Sequence, residues 1–281
     1  MAEKIALITG ASSGFGLLTS VELAKAGFGV VASLRDLGRR AGLDQAVASA
    51  GVESRVDVRA LNVTDFAAMP AFVDQVVRDW GRVDVLVNNA GFAVAGFAED
   101  IQLEELRLQF ETNFFGAVAM TRAVLPLMRR QRSGHIIQVS SIVGLHGAAS
   151  ASSYSASKHA LEGWSESLRM EVNSLGIKVV LVEPGAFQTD IWTRGAMMGE
   201  QVKSQESPNF QRSLRMRDRI GKIPKADPIA VARLMVAIAQ NPTPRLRYLV
   251  GRDAEIQLAL KRILPWKWHE KLIANFLKID S

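Results

Sequence analysis

Short, continuously apolar runs alternate along this chain with stretches whose apolar residues recur every three or four positions. Residues 5–8, 30–34, 56–61, 83–87, 134–140, 178–183 and 247–250 read as strands. The unbroken apolar run at 5–8 has the profile of a strand covered on both faces. Residues 17–26, 37–50, 67–80, 103–130, 153–170 and 228–240 carry helical spacing. Gly27, Gly51 and Gly81 stand where the first three helices should stop, and Pro126 is expected to kink the fourth or shift its end. Strands alternating with helices predict right-handed βαβ units. The expected fold is therefore a single α/β domain: a doubly wound, seven-stranded parallel sheet with helices on both faces.

Composition narrows the function classes. Of the 281 residues, 48% are hydrophobic and 22% charged, enough apolar material for a large core and too little charge for disorder. A formal charge of +6 suits an anionic ligand, an acidic membrane surface or nucleic acid. The basic residues are not gathered into one block with interleaved aromatics, which argues against nucleic acid. The absence of cysteine excludes disulfides, zinc–thiolate sites and a thiol nucleophile, and fits a cytoplasmic, reducing compartment. Four histidines without metal-ligand spacing give no reason to expect a metal. Lys4 runs at once into a strand and a glycine turn, unlike a signal peptide, and no apolar run approaches the ~18 residues of a membrane span. A soluble or, at most, peripheral protein is expected.

Candidate chemistry begins at the first turn. Gly10, Ser12, Ser13, Gly14, Phe15 and Gly16 lie between the first strand and the first helix, where a dinucleotide pyrophosphate would be held. Glycines there permit a tight turn and close backbone approach, and the helix start offers free N–H groups to an anion. The second candidate is Tyr154 with Lys158, four residues on and so on the same helical face. A cation beside a phenol favours phenolate and lowers its pKa from about 10, which suits proton transfer near neutrality.

Taken with Asn88-Asn89-Ala90-Gly91, Asn113, Ser140-Ser141 and Pro184-Gly185 with Thr189, these motifs make residues 3–255 resemble the short-chain dehydrogenase/reductase family. The resemblance implies a Rossmann fold over residues 1–253 with a substrate lid at about 187–226. It implies an NAD(P)-dependent carbonyl–alcohol oxidoreductase in which Tyr154 is general acid or base. Lys158 would then hold the nicotinamide ribose and depress the phenol, Ser141 would bind the substrate oxygen, and Asn113 would support a water relay to Lys158. Asn62 and Val63 would lie by the adenine, and Asn89, Ala90 and Gly91 would line the cofactor. Pro184, Gly185, Phe187 and Thr189 would meet the nicotinamide. A homodimer or homotetramer is also implied.

The end of the second strand argues cofactor choice. An acidic residue there would accept from the ribose hydroxyls and repel a 2′-phosphate. That place is read as Leu34 followed by Arg35, whose guanidinium can clamp a phosphate with help from Ser13, so NADP(H) is favoured over NAD(H). Asp36 is the counter-argument, and Arg39 and Arg40 are read as solvated helix charges or assistants.

Substrate residues are sought beyond these motifs. Phe92 after the fourth strand, Leu145 and His146 after Ser141, and Trp192, Met197, Met198 and Met216 in the lid suit an apolar, adaptable pocket. The basic set Arg212, Arg215, Arg217, Arg219 and Lys222 reads as a solvated face or as a dock for an acidic carrier. Residues 254–281 form a basic amphipathic extension, with Ile256, Leu260, Ile263 and Leu264 on one face before Pro265 and Trp268, Leu272 and Phe276 on one after it. Packing on the body, a second subunit and a membrane surface all suit it. Within the family the chain is similar to the 17β-hydroxysteroid and retinol dehydrogenase branch, which implies a lipophilic alcohol, ketone or aldehyde. The alternatives are a 3-oxoacyl thioester reductase and a cofactor-sensing binding module.

Overall fold

The computed structural model describes residues 3–189, 191, 196–198 and 207–277. Its strands are β1 (Ile5–Thr9), β2 (Gly29–Leu34), β3 (Val56–Ala60), β4 (Val85–Asn88), β5 (Ala93–Ala95), β6 (Gly134–Val139), β7 (Ile177–Pro184), β8 (Ala196–Met198) and β9 (Arg247–Val250). Its α-helices are α1 (Gly14–Lys25), α2 (Ala41–Ala50), α3 (Met69–Trp80), α4 (Leu103–Phe110), α5 (Gly116–Gln131), α6 (Ser152–Val172), α7 (Phe210–Gly221), α8 (Ile229–Gln240), α9 (Arg252–Ile263) and α10 (Trp266–Leu277).

The seven strands expected from the apolar runs form one parallel sheet in the order β3-β2-β1-β4-β6-β7-β9. Side chains alternate between its faces. Ala6 and Ile8 join Val30 and Ala32 in a core with residues of α1, α2 and α8. Ile5, Leu7 and Val31 join a second core with Met69, Val76, Met120 and Val124 from α3 and α5. The order reverses between β1 and β4, which opens a crevice at the strands' carboxyl ends. A second sheet pairs β5 with β8 in parallel, and three-residue strands are too short for apolar patterning to show.

The long helical pattern over 103–130 is not one helix. A π turn at Glu111–Phe115 separates α4 from α5, and α5 runs through Pro126 to Gln131. The break therefore falls at Asn113 rather than at the proline. In the C-terminal extension, Leu264 takes extended geometry before Pro265 and divides α9 from α10. Ile256, Ile263, Trp268, Leu272 and Phe276 are exposed while Leu260 and Leu264 are half-buried, so the expected apolar faces are only partly covered. Other groups hold the helices down: Ala254 and His269 are buried, Lys261 donates to the Leu145 carbonyl, and Arg219 of α7 donates to the Phe276 carbonyl at 2.7 Å. No helix among the described residues is long and apolar enough to cross a membrane.

Candidate active site

A cleft of about 450 Å³ opens at the carboxyl ends of β1, β4 and β6, and the glycine turn forms its floor. Gly10 has φ +71, and a Cβ there would stand 2.8 Å from Ala90 Cα. A Cβ on Gly16 would stand 2.4 Å from the Gly10 oxygen and 2.5 Å from Asn89 Nδ2, so neither position accepts a side chain. Asn89 locks the arrangement by donating to the Thr9 and Gly10 carbonyls at 2.9 and 3.0 Å. Ser13 is the extended N-cap of α1 and makes no side-chain cap. The cradle thus has close backbone and an uncapped helix start facing the cleft, which fits the pyrophosphate of a dinucleotide.

At the end of β2 the structure corrects one expectation. Leu34 is buried in the core and does not face the cleft, because its side chain falls on the sheet face covered by α1 and α2. Arg35, Asp36 and Arg39 line the cleft instead, beside Ser13. Asp36 is turned to its own backbone, accepting from the Gly38 N–H at 2.8 Å. Arg40 pairs with Asp44 at 2.7 Å on the surface. Asn62 lines the cleft, but its Oδ1 accepts from Thr64, N–H at 3.2 Å and hydroxyl at 3.0 Å.

Tyr154, Lys158 and Ser141 meet at the inner wall. Tyr154 and Lys158 are each 4% exposed, deep enough for desolvation to dominate their titration. Burial pushes the phenol up to about 12, with a hydrogen bond from Ser141 pulling the other way. Burial draws Lys158 down to about 8, opposed by the Glu162 carboxylate. The ammonium lies 5.8 Å from the tyrosine ring centre and donates to the Val139 carbonyl at 2.7 Å. The expected lowering of the phenol by the neighbouring ammonium is thus not what this wall shows: burial is the largest influence, and the opposing one is Ser141.

Asn113 sits behind the wall, 1% exposed in the π turn and not lining the cleft. Its amide grips the Phe92 backbone from both sides: Oδ1 accepts from Phe92 N–H at 3.0 Å, and Nδ2 donates to the Phe92 carbonyl at 2.9 Å and to Ser157 at 3.2 Å. Sequence reasoning missed Gln109, which donates to the same carbonyl at 2.8 Å and accepts from Ser153 at 2.7 Å. It also missed Asp253, which accepts from Ala186 N–H at 2.8 Å and anchors the Pro184–Gly185 turn. The signal for both was weak: one polar residue in an amphipathic helix, and one acidic residue in a helical first turn.

Of the other expected residues, Ser12, Phe15, Val63, Ala90, Gly91, Phe92, Pro184, Gly185, Phe187 and Thr189 all line the cleft, joined by Leu108 and Ile191. Phe15 meets Phe187 edge-on at 5.7 Å. His146 is not brought to the cleft: it is buried, its Nδ1 lies 3.0 Å from the Gly147 carbonyl, and Gln257 and Lys261 of α9 stand over it. Burial lowers its pKa. Trp192 and the side chains of Met197 and Met198 lie outside the described residues, while Met216 is buried. The basic set is partly spent internally, Arg212 on the Phe97 ring at 4.6 Å and on Asn209, Arg219 on Phe276, and Lys222 on Asp218. Among the described residues no cluster of three or more His, Cys, Asp or Glu is placed to hold a metal ion.

A carboxylate cluster lies one helical turn behind Lys158. Arg247 of β9 pairs with Glu162, with Glu183 at 2.6 Å and with Glu166 at 2.6 Å. Burial first, then the Glu162 charge, push Glu183 up to about 7 against the pull of Arg247. Desolvation lowers the guanidinium's pKa, but the three carboxylates outweigh it and hold the group charged.

A parallel sheet with its switch-point crevice, a glycine cradle and a buried Tyr–Ser–Lys wall define a dinucleotide-binding oxidoreductase of the Rossmann type. The profile of the short chain dehydrogenases matches residues 4–197, and the chain belongs to the short-chain dehydrogenase/reductase family. It is 39% identical over 280 residues to the uncharacterized oxidoreductase YusZ of Bacillus subtilis, covering 99% of each. It is 38% identical to 3-ketodihydrosphingosine reductase of Bacteroides thetaiotaomicron over 92% of each chain. Retinol dehydrogenase 8 of Bos taurus is 36% identical, over 94% of this chain and 86% of that one, which supports the retinol dehydrogenase-like branch. Among solved structures, a short-chain dehydrogenase from Streptomyces avermitilis superposes with TM-score 0.82 at 34% identity, over 100% and 98% of the two chains. One from Burkholderia phymatum, in complex with NAD, has TM-score 0.80 at 27% identity over 93% of each. ElxO with NADP bound has TM-score 0.73 at 25% identity over 88% and 96%.

Proposed function

We propose that this protein is an NADP(H)-dependent oxidoreductase that interconverts a carbonyl and an alcohol on a lipophilic small molecule. The observation that carries the proposal is the cleft wall, where a buried Tyr154 is hydrogen-bonded to Ser141 with Lys158 behind it. When bound, the nicotinamide supplies or accepts the hydride. The protein's part is the proton and the geometry. Ser141 orients the substrate oxygen, and Tyr154 gives it a proton during reduction or takes one during oxidation. Burial keeps the phenol protonated at neutral pH, the form that donates the proton in reduction. Lys158 holds ribose hydroxyls, and Asn113 and Gln109 fix the Phe92 backbone at the rim. Arg35, with Ser13 and Arg39 beside it and one oxygen of the cleft-lining Asp36 taken up by the Gly38 N–H, supports the 2′-phosphate form of the cofactor.

The lipophilic substrate is supported by the apolar rim of Phe92, Leu108, Phe187 and Ile191, and by two relatives named for a ketosphingoid and for retinol. In the same proposal, residues 1–253 are the catalytic body, with its lid at about 187–226. The extension 254–281 meets an anionic bilayer surface from the cytoplasmic side, because exposed Ile263, Trp266 and Trp268 are interleaved with Arg262 and Lys267. A homo-oligomer is supported by exposed Leu103 and Phe115 beside α4 and α5 and by Met170 on α6.

The test is a panel of lipophilic ketones, aldehydes and alcohols with NADPH and NADH in parallel. Tyr154→Phe should remove turnover, by at least about a thousandfold, and leave NADPH binding intact by fluorescence. A variant that still turns over a substrate of the wild type would sink the assignment.

A further inference from the structure

Lys158 is a nearly buried ammonium at the cleft wall, and a cluster of charged groups lies behind it. Glu162 stands four residues further along α6, hence on the same helical face, and is 5% exposed. One of its oxygens pairs with Arg247, while Oε1 is buried with no hydrogen-bond donor in reach. Ser140 Oγ is likewise without a partner, and both atoms crowd Gly144: a Cβ there would stand 2.7 Å from Ser140 Oγ and 3.2 Å from Glu162 Oε1. The same Arg247 Nη1 pairs with the other Glu162 oxygen and with Glu183 Oε1 at 2.6 Å, which brings the two carboxyls side by side, and Glu183 is only 1% exposed. Two carboxylates in contact in a dry interior hold one proton between them.

The charged groups around Glu162 can be enumerated among the described residues. Lys158 and Glu166 share α6 with it, Glu183 reaches it from β7, and Arg247 from β9. The turn Ile142–Gly144, packed against α6, brings no titratable side chain. Three carboxylates therefore face two cations, and the Arg247 guanidinium is divided among all three.

We propose that Glu162 is the positioning residue whose negative charge keeps Lys158 protonated at the catalytic wall, and that the proton shared with Glu183 sets how much of that charge Lys158 feels. This rests on the reading of Lys158 given above, since an ammonium that did nothing would need no counter-charge. It adds a function for a residue that touches neither substrate nor cofactor. At acid pH the shared proton and Arg247 screen Glu162. As the proton leaves, the full carboxylate turns toward Lys158 and retains its charge into the alkaline range.

Two measurements test this. In the pH profile of kcat/KM for carbonyl reduction, Glu162→Gln should move the alkaline limb acidward by about one unit, a roughly tenfold loss on that limb and little below it. Glu183→Gln disturbs the same Arg247 network but keeps the Glu162 charge, and should leave the limb in place. A Glu162→Gln profile lowered by one factor at every pH would overturn the proposal, as would an equal shift in Glu183→Gln. The second measurement needs no cluster variant and no activity. In wild-type protein labelled with 13Cε-lysine, the Lys158 resonance should show a second inflection near pH 7, where Glu183 titrates. A one-step titration of that resonance overturns the coupling even if Glu162→Gln fails to fold. Loss of the catalytic reading itself would show separately, as an active Tyr154→Phe enzyme.

Discussion

Glu183, one residue before Pro184 at the end of β7, is predicted to make the protein less stable at pH 8 than a glutamine would. Its carboxyl is pushed from 4.5 up to about 7 by burial and by Glu162, with Arg247 opposing. The folded protein thus keeps a proton that the unfolded chain releases near pH 4.5. The associated stability is fully present below 4.5 and is lost as pH rises through about 7. At 1.36 kcal/mol per decade the loss approaches about 3 kcal/mol, and because the proton is shared with Glu162 a range of about 1–3 kcal/mol is expected. Glu183→Gln has the same shape and donates toward Glu162 the hydrogen bond that the protonated acid donates. Thermal unfolding of both proteins between pH 4.5 and 8, at fixed ionic strength, measures the difference. The variant should match wild type at pH 4.5 and melt roughly 2–10 °C higher at pH 8. An offset independent of pH, or a variant that melts lower at pH 8, would refute the reasoning.

Cofactor choice and membrane contact are tested on the full chain. Arg35→Ser should weaken NADPH binding by about 10- to 100-fold, the value of a charge-assisted phosphate contact, and leave NADH within about twofold by titration calorimetry. Equal losses for both cofactors would remove Arg35 from 2′-phosphate recognition. Wild type should float with vesicles containing phosphatidylserine and remain behind with purely zwitterionic ones, and Trp266→Ser with Trp268→Ser should abolish flotation. Wild-type protein that fails to float with anionic vesicles would leave the exposed apolar face to another partner.

The central strands were legible because parallel strands buried on both faces are largely apolar, as 5–8 is, whereas the half-buried edge strand β3 alternates through Asp57 and Arg59. The glycine cradle and the Tyr154–Lys158 pair were legible too, since their spacing is tied to a turn and to a helical face. Three things were not. The direction in which the phenol titrates depends on burial, which a sequence does not display, and Leu34 was misplaced because strand alternation alone did not say which face α1 and α2 cover. The Glu162–Glu183–Arg247 cluster joins residues up to 85 positions apart, and nothing local marks them as partners.

The π turn at Glu111–Phe115 carries one residue more than an α turn needs, so α4 and α5 are out of phase by roughly 100°. Gln109 of α4 at the Phe92 carbonyl and Met120 and Val124 of α5 in the core are placed together in that offset frame. Deleting a single residue there would give a more regular helix and would turn either Gln109 away from the cleft rim or Met120 and Val124 away from the core. The segment is therefore held to its length rather than to its composition: substitutions can be absorbed one at a time, but a one-residue deletion rephases everything on one side of it.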